Sequence, residues 1–238
     1  MQRSQSGIQA QLVGLIDDKS KLERLLQACR GICGRTEQKL LHRETVYKLA
    51  YQSVQPNGSR GPNYELRYRL GKISTSEPDK PVQPMSLICI GDSIPLPKTC
   101  EKLFPPDTDV TRRISKPNLR KIVEVEVGST CDEFMKLLGF EQDFVFIRSG
   151  HVFQCGSDDR CCIQISEIHK IQGSNQTPKF EVDRSGNPVD NLWLVEINVN
   201  CDETSPSVDS GIKMMISFCE KLSPYVSLSS PEERKAQS

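Results

Sequence analysis

Three stretches of this chain alternate apolar and polar side chains residue by residue, and that period of two limits the fold more than any other feature. Within 119–128, Val123, Val125 and Val127 fall on one face and Glu124 and Glu126 on the other. Within 64–70, Tyr64, Leu66, Tyr68 and Leu70 oppose Glu65, Arg67 and Arg69, and within 192–199, Trp193, Val195, Ile197 and Val199 oppose Leu192, Leu194, Glu196 and Asn198. Only a β-strand keeps such sets apart, because a helix would scatter both around its circumference. Many strands with one polar face, few helices and turn-rich joins point to a mainly β, α+β fold built on a closed antiparallel barrel. Closure removes exposed edges and a wide lumen stays polar; a sandwich of two sheets is the competing architecture.

The most continuous block runs from Val123 to Ile171. Ser129 stands three residues before Asp132 as a helix start, Phe134, Leu137 and Leu138 follow at helical spacing, and Gly139 offers a left-handed cap after about three turns. Phe144 to Ile147 is β-branched and aromatic. Ser149-Gly150 then reads as a two-residue turn that sends His151 to Cys155 back as the second arm of a hairpin. Cys161 to Ile171 is a further strand, in which Ile168 falls out of step with Ile163 and Ile165 and places a bulge near Ser166 or Glu167.

Around this block the sequence supplies covers and connections. Met1 to Gly7 is polar and expected to fray. Ser20 and Glu23 form a capping box before a stripe of Leu22, Leu25, Leu26, Cys29 and Cys33 that ends near Gly34. Asp209 caps a last helix whose stripe is Ile212, Met215, Ile216, Cys219 and Leu222, stopped by Pro224. Residues 40–51 and 87–90 read as strands, and Val226 with Leu228 as an edge strand. Residues 56–62, 74–84, 96–117 and 172–190 read as loops, the last with a short pairing around Phe180 to Val182, and 231–238 as a polar tail. Nothing repeats and no linker divides the chain, so one barrel domain over 1–238 is expected.

Charge narrows the function classes. With 31 basic and 31 acidic residues the chain is formally neutral, so no bulk field draws in DNA or an anionic membrane. No stretch approaches the roughly 20 apolar residues that span a bilayer, and the N-terminus has no apolar signal core; a cytosolic or nuclear protein is expected. In such a reducing compartment ten cysteines read as buried or half-buried thiols. Cys29 and Cys33 share a helix face, Cys161 and Cys162 point to opposite sides of a strand, and no Cys-x-x-Cys pair occurs. No metal or cofactor is expected.

Two charge patterns bear on chemistry. Glu124 and Glu126 point two carboxylates the same way, as a barrel would to hold a divalent ion, and Arg67 and Arg69 point two guanidinium groups the same way, as clamps for phosphate oxygens. Together they sketch a metal-dependent triphosphate hydrolase, with Glu196 and Glu167 as isolated additional acids. The everyday reading of the same residues is cross-strand ion pairs. His151 has no nucleophile or orienting acid at a useful spacing, and Ser157-Asp158-Asp159 lacks the ligand series of a calcium loop. Arg112, Arg113 and Lys116 form a weak basic cluster that reads as a solvated loop. Aromatic strands favour an RNA-binding barrel, and neutral charge speaks against one.

Several of these segments together resemble the Mediator subunit 18 family of the Mediator head module. The likeness rests on the run from Asn63 to Arg69, on Phe134 to Phe140 leading into Phe144-Val145 and Gly150 to Phe153, on Leu194-Val195-Glu196, and on Phe218 to Leu222 with Pro224. The helix from Leu22 to Cys33, followed by His42-Arg43-Glu44, sits where that family has one. Segments 74–92 and 172–190 and the cysteine-rich strand depart from it. The resemblance implies a many-stranded barrel flanked by helices, similar in fold to triphosphate tunnel enzymes yet non-catalytic. It further implies pairing with Mediator subunit 20, tethering by a helix of Mediator subunit 8, and a nuclear scaffold linking transcription regulators to RNA polymerase II. No catalytic, cofactor or metal residue is carried over, and no interface residue is assigned.

Overall fold

A computed structural model describes residues 4–34, 37–49, 65–71, 85–104, 114–128, 130–156, 160–170 and 188–231. In it the alternating runs are strands: β1 (Ser4–Ile16), β2 (Gln38–Leu49), β3 (Glu65–Gly71), β4 (Met85–Ile94), β5 (Asn118–Val127), β6 (Phe140–Cys155), β7 (Cys161–Lys170) and β8 (Pro188–Cys201). They close into a barrel in the order β1-β5-β4-β3-β2-β6-β7-β8, with every neighbouring pair antiparallel. Closure decides between the barrel and the sandwich, since each ladder group finds a partner without a free edge.

Helices cover the outside of one half. α1 (Lys19–Cys33) lays Leu22, Leu25, Leu26, Cys29 and Cys33 on the sheet, as its spacing foretold. Its N-cap is Asp18, whose carboxylate accepts from the Ser20 and Lys21 backbone N–H groups at 2.6 and 3.1 Å, and not the Ser20 and Glu23 box; the shorter acidic side chain reaches both donors. Gly34 ends the helix at φ 62°. α4 (Ser205–Leu222) buries Ile212, Met215, Cys219 and Leu222. It starts earlier than expected, because Pro206 sits in the first turn, where its missing N–H costs no bond. Asp209 therefore lies inside the helix and accepts from Thr99 Oγ1 and Cys100 Sγ, both at 2.9 Å, which holds the four-residue α2 (Lys98–Glu101). At Gly211 a Cβ would come within 2.4 Å of Cys201 Sγ, so glycine lets α4 close on β8.

The outer faces of β1, β6, β7 and β8 meet these helices in one apolar core, in which Ile163, Ile165, Val195, Ile197 and Val199 exclude water fully. Each such side chain contributes about 1.5–3 kcal/mol by leaving water. On the opposite half, α3 (Cys131–Leu137) packs Cys131 and Met135 over Tyr47 and Tyr68. It makes about two turns where three were expected, and Gly139 takes the left-handed conformation at φ 82°.

Four further expectations are revised. The hairpin turn at Ser149-Gly150 is absent, for β6 runs unbroken from Phe140 to Cys155. Gly150 is there for close approach, since a Cβ would meet the Ile165 carbonyl oxygen at 2.0 Å; the hairpin joins β6 to β7 instead. Ser4 to Gly7, expected to fray, pairs with Val125 to Ile122 of β5. Val226 and Leu228 are buried but form no strand; only Ser229 bridges, to Val13. Cys33 and Cys155, at the ends of α1 and β6, are joined as a disulfide with Cα atoms 4.7 Å apart, while the other eight cysteines are thiols. The bulge near Ser166 or Glu167 is present as a register shift between Glu167 and His169. The loop readings over 56–62 and 74–84, and 172–187 of the 172–190 reading, including Phe180 to Val182, lie outside the described residues, as do Ser129, Arg112, Arg113 and Ser157 to Asp159; residues 188–190 open β8 instead of ending a loop, and Lys98–Glu101 within the 96–117 loop reading form α2.

Candidate functional site

Because Val195, Ile197 and Val199 face the helices, the other set on β8, Leu194, Glu196 and Asn198, faces the lumen. Register carries this assignment around the barrel. Glu196 pairs with Gln164 and Val13, His42 with Arg148, Glu44 with Arg69, Arg69 with Ser86, Ser86 with Glu126, and Arg67 with Ile88, which pairs with Glu124. Glu124, Glu126, Arg67 and Arg69 thus occupy adjacent positions on one lumen wall.

The hub of the lumen is a residue the sequence reading passed over. Glu44, about 1% exposed, receives His42 Nε2 at 2.7 Å, Arg69 Nη2 at 3.2 Å, Arg67 Nη1 at 3.5 Å and Arg148 Nε at 3.9 Å. Arg148 also binds Glu196, whose other oxygen accepts from Gln11 Nε2 at 3.2 Å. Arg69 reaches Glu124 Oε1 at 3.9 Å, and Arg67 donates to Glu65 at 2.5 Å. Burial alone would push the Glu44 carboxyl up; the His42 hydrogen bond and the Arg69 and Arg148 charges outweigh it and hold it well below the usual carboxylate range. Burial pushes His42 below its ordinary value, so the imidazole is held neutral against the pull of Glu44. For Arg148 burial opposes the charge, and Glu196 and Glu44 overcome it.

This arrangement closes the middle of the barrel with its own ion pairs. A phosphate entering between Arg67 and Arg69 would have to displace Glu44, which is held from four sides. A divalent ion needs several converging carboxylates, and among the described residues no group of three His, Cys, Asp or Glu is placed to hold one. The lumen does not fit the metal that the hydrolase reading requires. Glu167 is not in the lumen network; it sits at the bulge, 3.6 Å from His169 Nε2. Ser149 Oγ approaches the same ring nitrogen at 3.3 Å, so hydroxyl and acid compete for one atom and do not form a relay. His151 binds Glu37, which binds Arg30 Nε at 2.6 Å, and this chain ties the end of α1 to β6. The thiols are poor nucleophiles: burial pushes Cys29 and Cys219 up to about 12 and Cys100 and Cys162 up to about 11.

With lumen and wall described, the chain can be set beside known proteins. Residues 106–235, more than half of its length, match the family model described as Med18 protein. The chain belongs to the Med18 protein family. It is 26% identical over 218 residues to zebrafish (Danio rerio) Mediator of RNA polymerase II transcription subunit 18, covering 91% of this chain and 85% of that one. Among solved structures it is similar to a chain of the Schizosaccharomyces pombe Mediator head module, with a TM-score of 0.58 and 14% identity over 94% of this chain and 98% of that chain. It is also similar to the PH1819 protein from Pyrococcus horikoshii OT3, with a TM-score of 0.50 and 12% identity over 90% and 89%. At these identities the two structures establish a shared barrel and nothing about activity. No helix among the described residues is long and apolar enough to cross a membrane.

Proposed function

We propose that this chain is a non-enzymatic subunit of a nuclear Mediator head module, folded as one barrel domain, that holds other Mediator subunits and through them links transcription regulators to RNA polymerase II. The observation that carries the reading is membership of the Med18 family, together with a Mediator subunit 18 relative aligned over nearly the whole chain. The physical chemistry agrees with it. Buried lumen carboxylates are neutralised by the chain's own arginines, while large apolar side chains stay outside on one wall. Its partners in this proposal are Mediator subunit 20, as a heterodimer, and a helix of Mediator subunit 8. Stable contacts of that kind bury more than about 1,000 Å².

Co-expression with those two subunits tests the proposal. A stoichiometric complex that survives gel filtration is the expected result; a chain that stays soluble and monomeric with both present overturns it. A metal-dependent triphosphate hydrolase is the competing reading: Glu124, Glu126, Arg67 and Arg69 share one lumen wall, but Glu44 already holds both arginines and the lumen lacks the converging carboxylates that a metal needs. Phosphate release from inorganic triphosphate with magnesium or manganese, abolished by Glu124→Gln and by Glu126→Gln, would support it instead.

A further inference from the structure

The last residue of α1 and the last residue of β6 are both cysteines, and they are bonded to each other. Cys33 is followed by Gly34 at φ 62° and Cys155 by Gly156 at φ 86°, so at both ends the chain turns away from the bond through the left-handed region. The bond spans a sequence separation of 122 that holds β2 to β6 and leaves β1, β7 and β8 outside. Two more thiols flank it. Cys29 lies one turn before Cys33 on the same buried face of α1, and Cys161 is the register partner of Cys155. Burial pushes the Cys29 thiol up to about 12, which keeps it protonated and unreactive at neutral pH. Cys33, 8% exposed, is the member of the bonded pair nearer to solvent, for Cys155 is wholly buried.

A permanent staple does not suit the nuclear subunit proposed above, because glutathione keeps most thiols of that compartment reduced and the disulfides found there are as a rule transient. Opening the bond does not free the helix either. Leu22, Leu25 and Leu26 hold α1 in the core, and the link from Arg30 through Glu37 to His151 spans the same corner, so the two sulfurs stay near enough to rejoin. We propose that Cys33 and Cys155 form a reversible redox latch, opened and closed by exchange with a small thiol and disulfide of the glutathione class, that sets how firmly α1 is held over β6. In closing, the Cys33 thiolate attacks one sulfur of the small disulfide and expels one thiolate. The Cys155 sulfur, having lost its proton, then attacks Cys33 Sγ of the mixed disulfide and expels the second. Two protons and two electrons pass from the two cysteines to the small disulfide, which leaves as two thiols; opening runs the same steps backwards and consumes two small thiols. The closed bond restricts the unfolded chain, as a long loop does most, and pins the last turn of α1 in the folded one. The inference rests on the subunit reading for its reducing surroundings and not for its chemistry.

The full chain is equilibrated with reduced and oxidised glutathione at ratios from strongly reducing to strongly oxidising, without denaturant, then acid-quenched, alkylated and mapped by mass spectrometry. A cross-link between Cys33 and Cys155 is expected to appear and disappear with the ratio while circular dichroism stays constant. The oxidised form should melt about 5–10 °C above the reduced one. Amide hydrogens in the last turn of α1 should exchange about ten-fold faster when the bond is open. Cys33→Ser should melt like the reduced parent at every ratio; the titration of the parent needs no variant, so a Cys33→Ser chain that fails to fold leaves the test intact. No cross-link at the most oxidising ratio, a cross-link through Cys29 or Cys161 in its place, or a bond that persists at the most reducing ratio overturns the latch. A melting temperature that ignores the state of the bond does the same. Both forms are then mixed with the Mediator subunits named above. A chain that assembles while its cysteines never cross-link keeps the subunit reading and loses the latch; one that cross-links reversibly and joins no Mediator subunit keeps the latch and loses the subunit reading.

Discussion

The two halves of the barrel wall belong to one sheet and differ in what lies on them. Over β6, β7, β8 and β1, helices of 15 and 18 residues close a core in which whole strand faces reach zero exposure. Among the described residues, a helix of seven residues lies over β2 to β5, covering Tyr47 and Tyr68 with one side and leaving Phe134 and Leu137 exposed on the other. In both halves the outward strand faces carry apolar side chains, in unbroken runs on β7 and β8 and mixed with polar ones on β2, and the longer helices lie on the unbroken runs. Stability is expected to concentrate in the first half. The lumen between them is a third environment, dry at its middle yet charged.

The comparison breaks most directly by truncation on the two sides. Phe153→Ala, which opens a cavity in the core beneath α1, is expected to cost about 4 kcal/mol. Met135→Ala, beneath a helix thin enough to settle into the space, is expected to cost about 2 kcal/mol. Urea unfolding measures both, and a reversed order would mean that the α3 half carries the fold.

Glu44→Gln probes the lumen that both halves share. It removes the charge that Arg67, Arg69 and Arg148 surround and is expected to cost about 3 kcal/mol at pH 7. Two buried depressed groups, His42 and Glu44, shape the pH profile most. Neutral His42 resists protonation when folded, so stability starts to fall as pH drops below 6.5, where the unfolded imidazole takes its proton. The Glu44 contribution is complete above 4.5 and is lost below it, as the pH approaches the depressed folded value. Chemical denaturation from pH 8 to 3 should therefore show two descending steps, and the lower one should shrink in Glu44→Gln to what Glu37, Asp18 and Asp209, also held below the usual carboxylate range, contribute.

Much of this was legible wherever one face of a strand is wholly apolar. Val195, Ile197 and Val199, and the stripes Leu22 to Cys33 and Ile212 to Leu222, lie where their periods put them. Glu44 was illegible because β2 is mixed on both faces: Leu40, His42, Glu44 and Val46 look inward, Arg43, Thr45 and Tyr47 outward, so no period separates wet from dry. The Ser149-Gly150 turn was misread for a related reason. Glycine there answers a steric demand from β7, and a demand made by a distant strand leaves no local signature. β1 hid behind a polar start, since its inward Gln9 and Gln11 suit a polar lumen and resemble a loop when read alone. The hydrolase sketch was right about which side chains share a wall. It failed on the arginines, which answer a carboxylate of their own chain.

Tyr47→Phe weighs the α3 half more finely. The Tyr47 hydroxyl donates to Asp132 at the start of α3, and losing that bond is expected to cost about 1 kcal/mol, read by thermal unfolding. The smallest effect is expected on the exposed side of α3. Leu137→Ser removes an 86% exposed side chain, so stability should stay within about 0.5 kcal/mol of the parent. A loss above about 2 kcal/mol would mean that Leu137 is covered by the chain itself in solution, and the α3 wall would then be core like its opposite. Unchanged stability with altered partner affinity, in one and the same variant, is the result that separates a wall kept for recognition from one kept for folding.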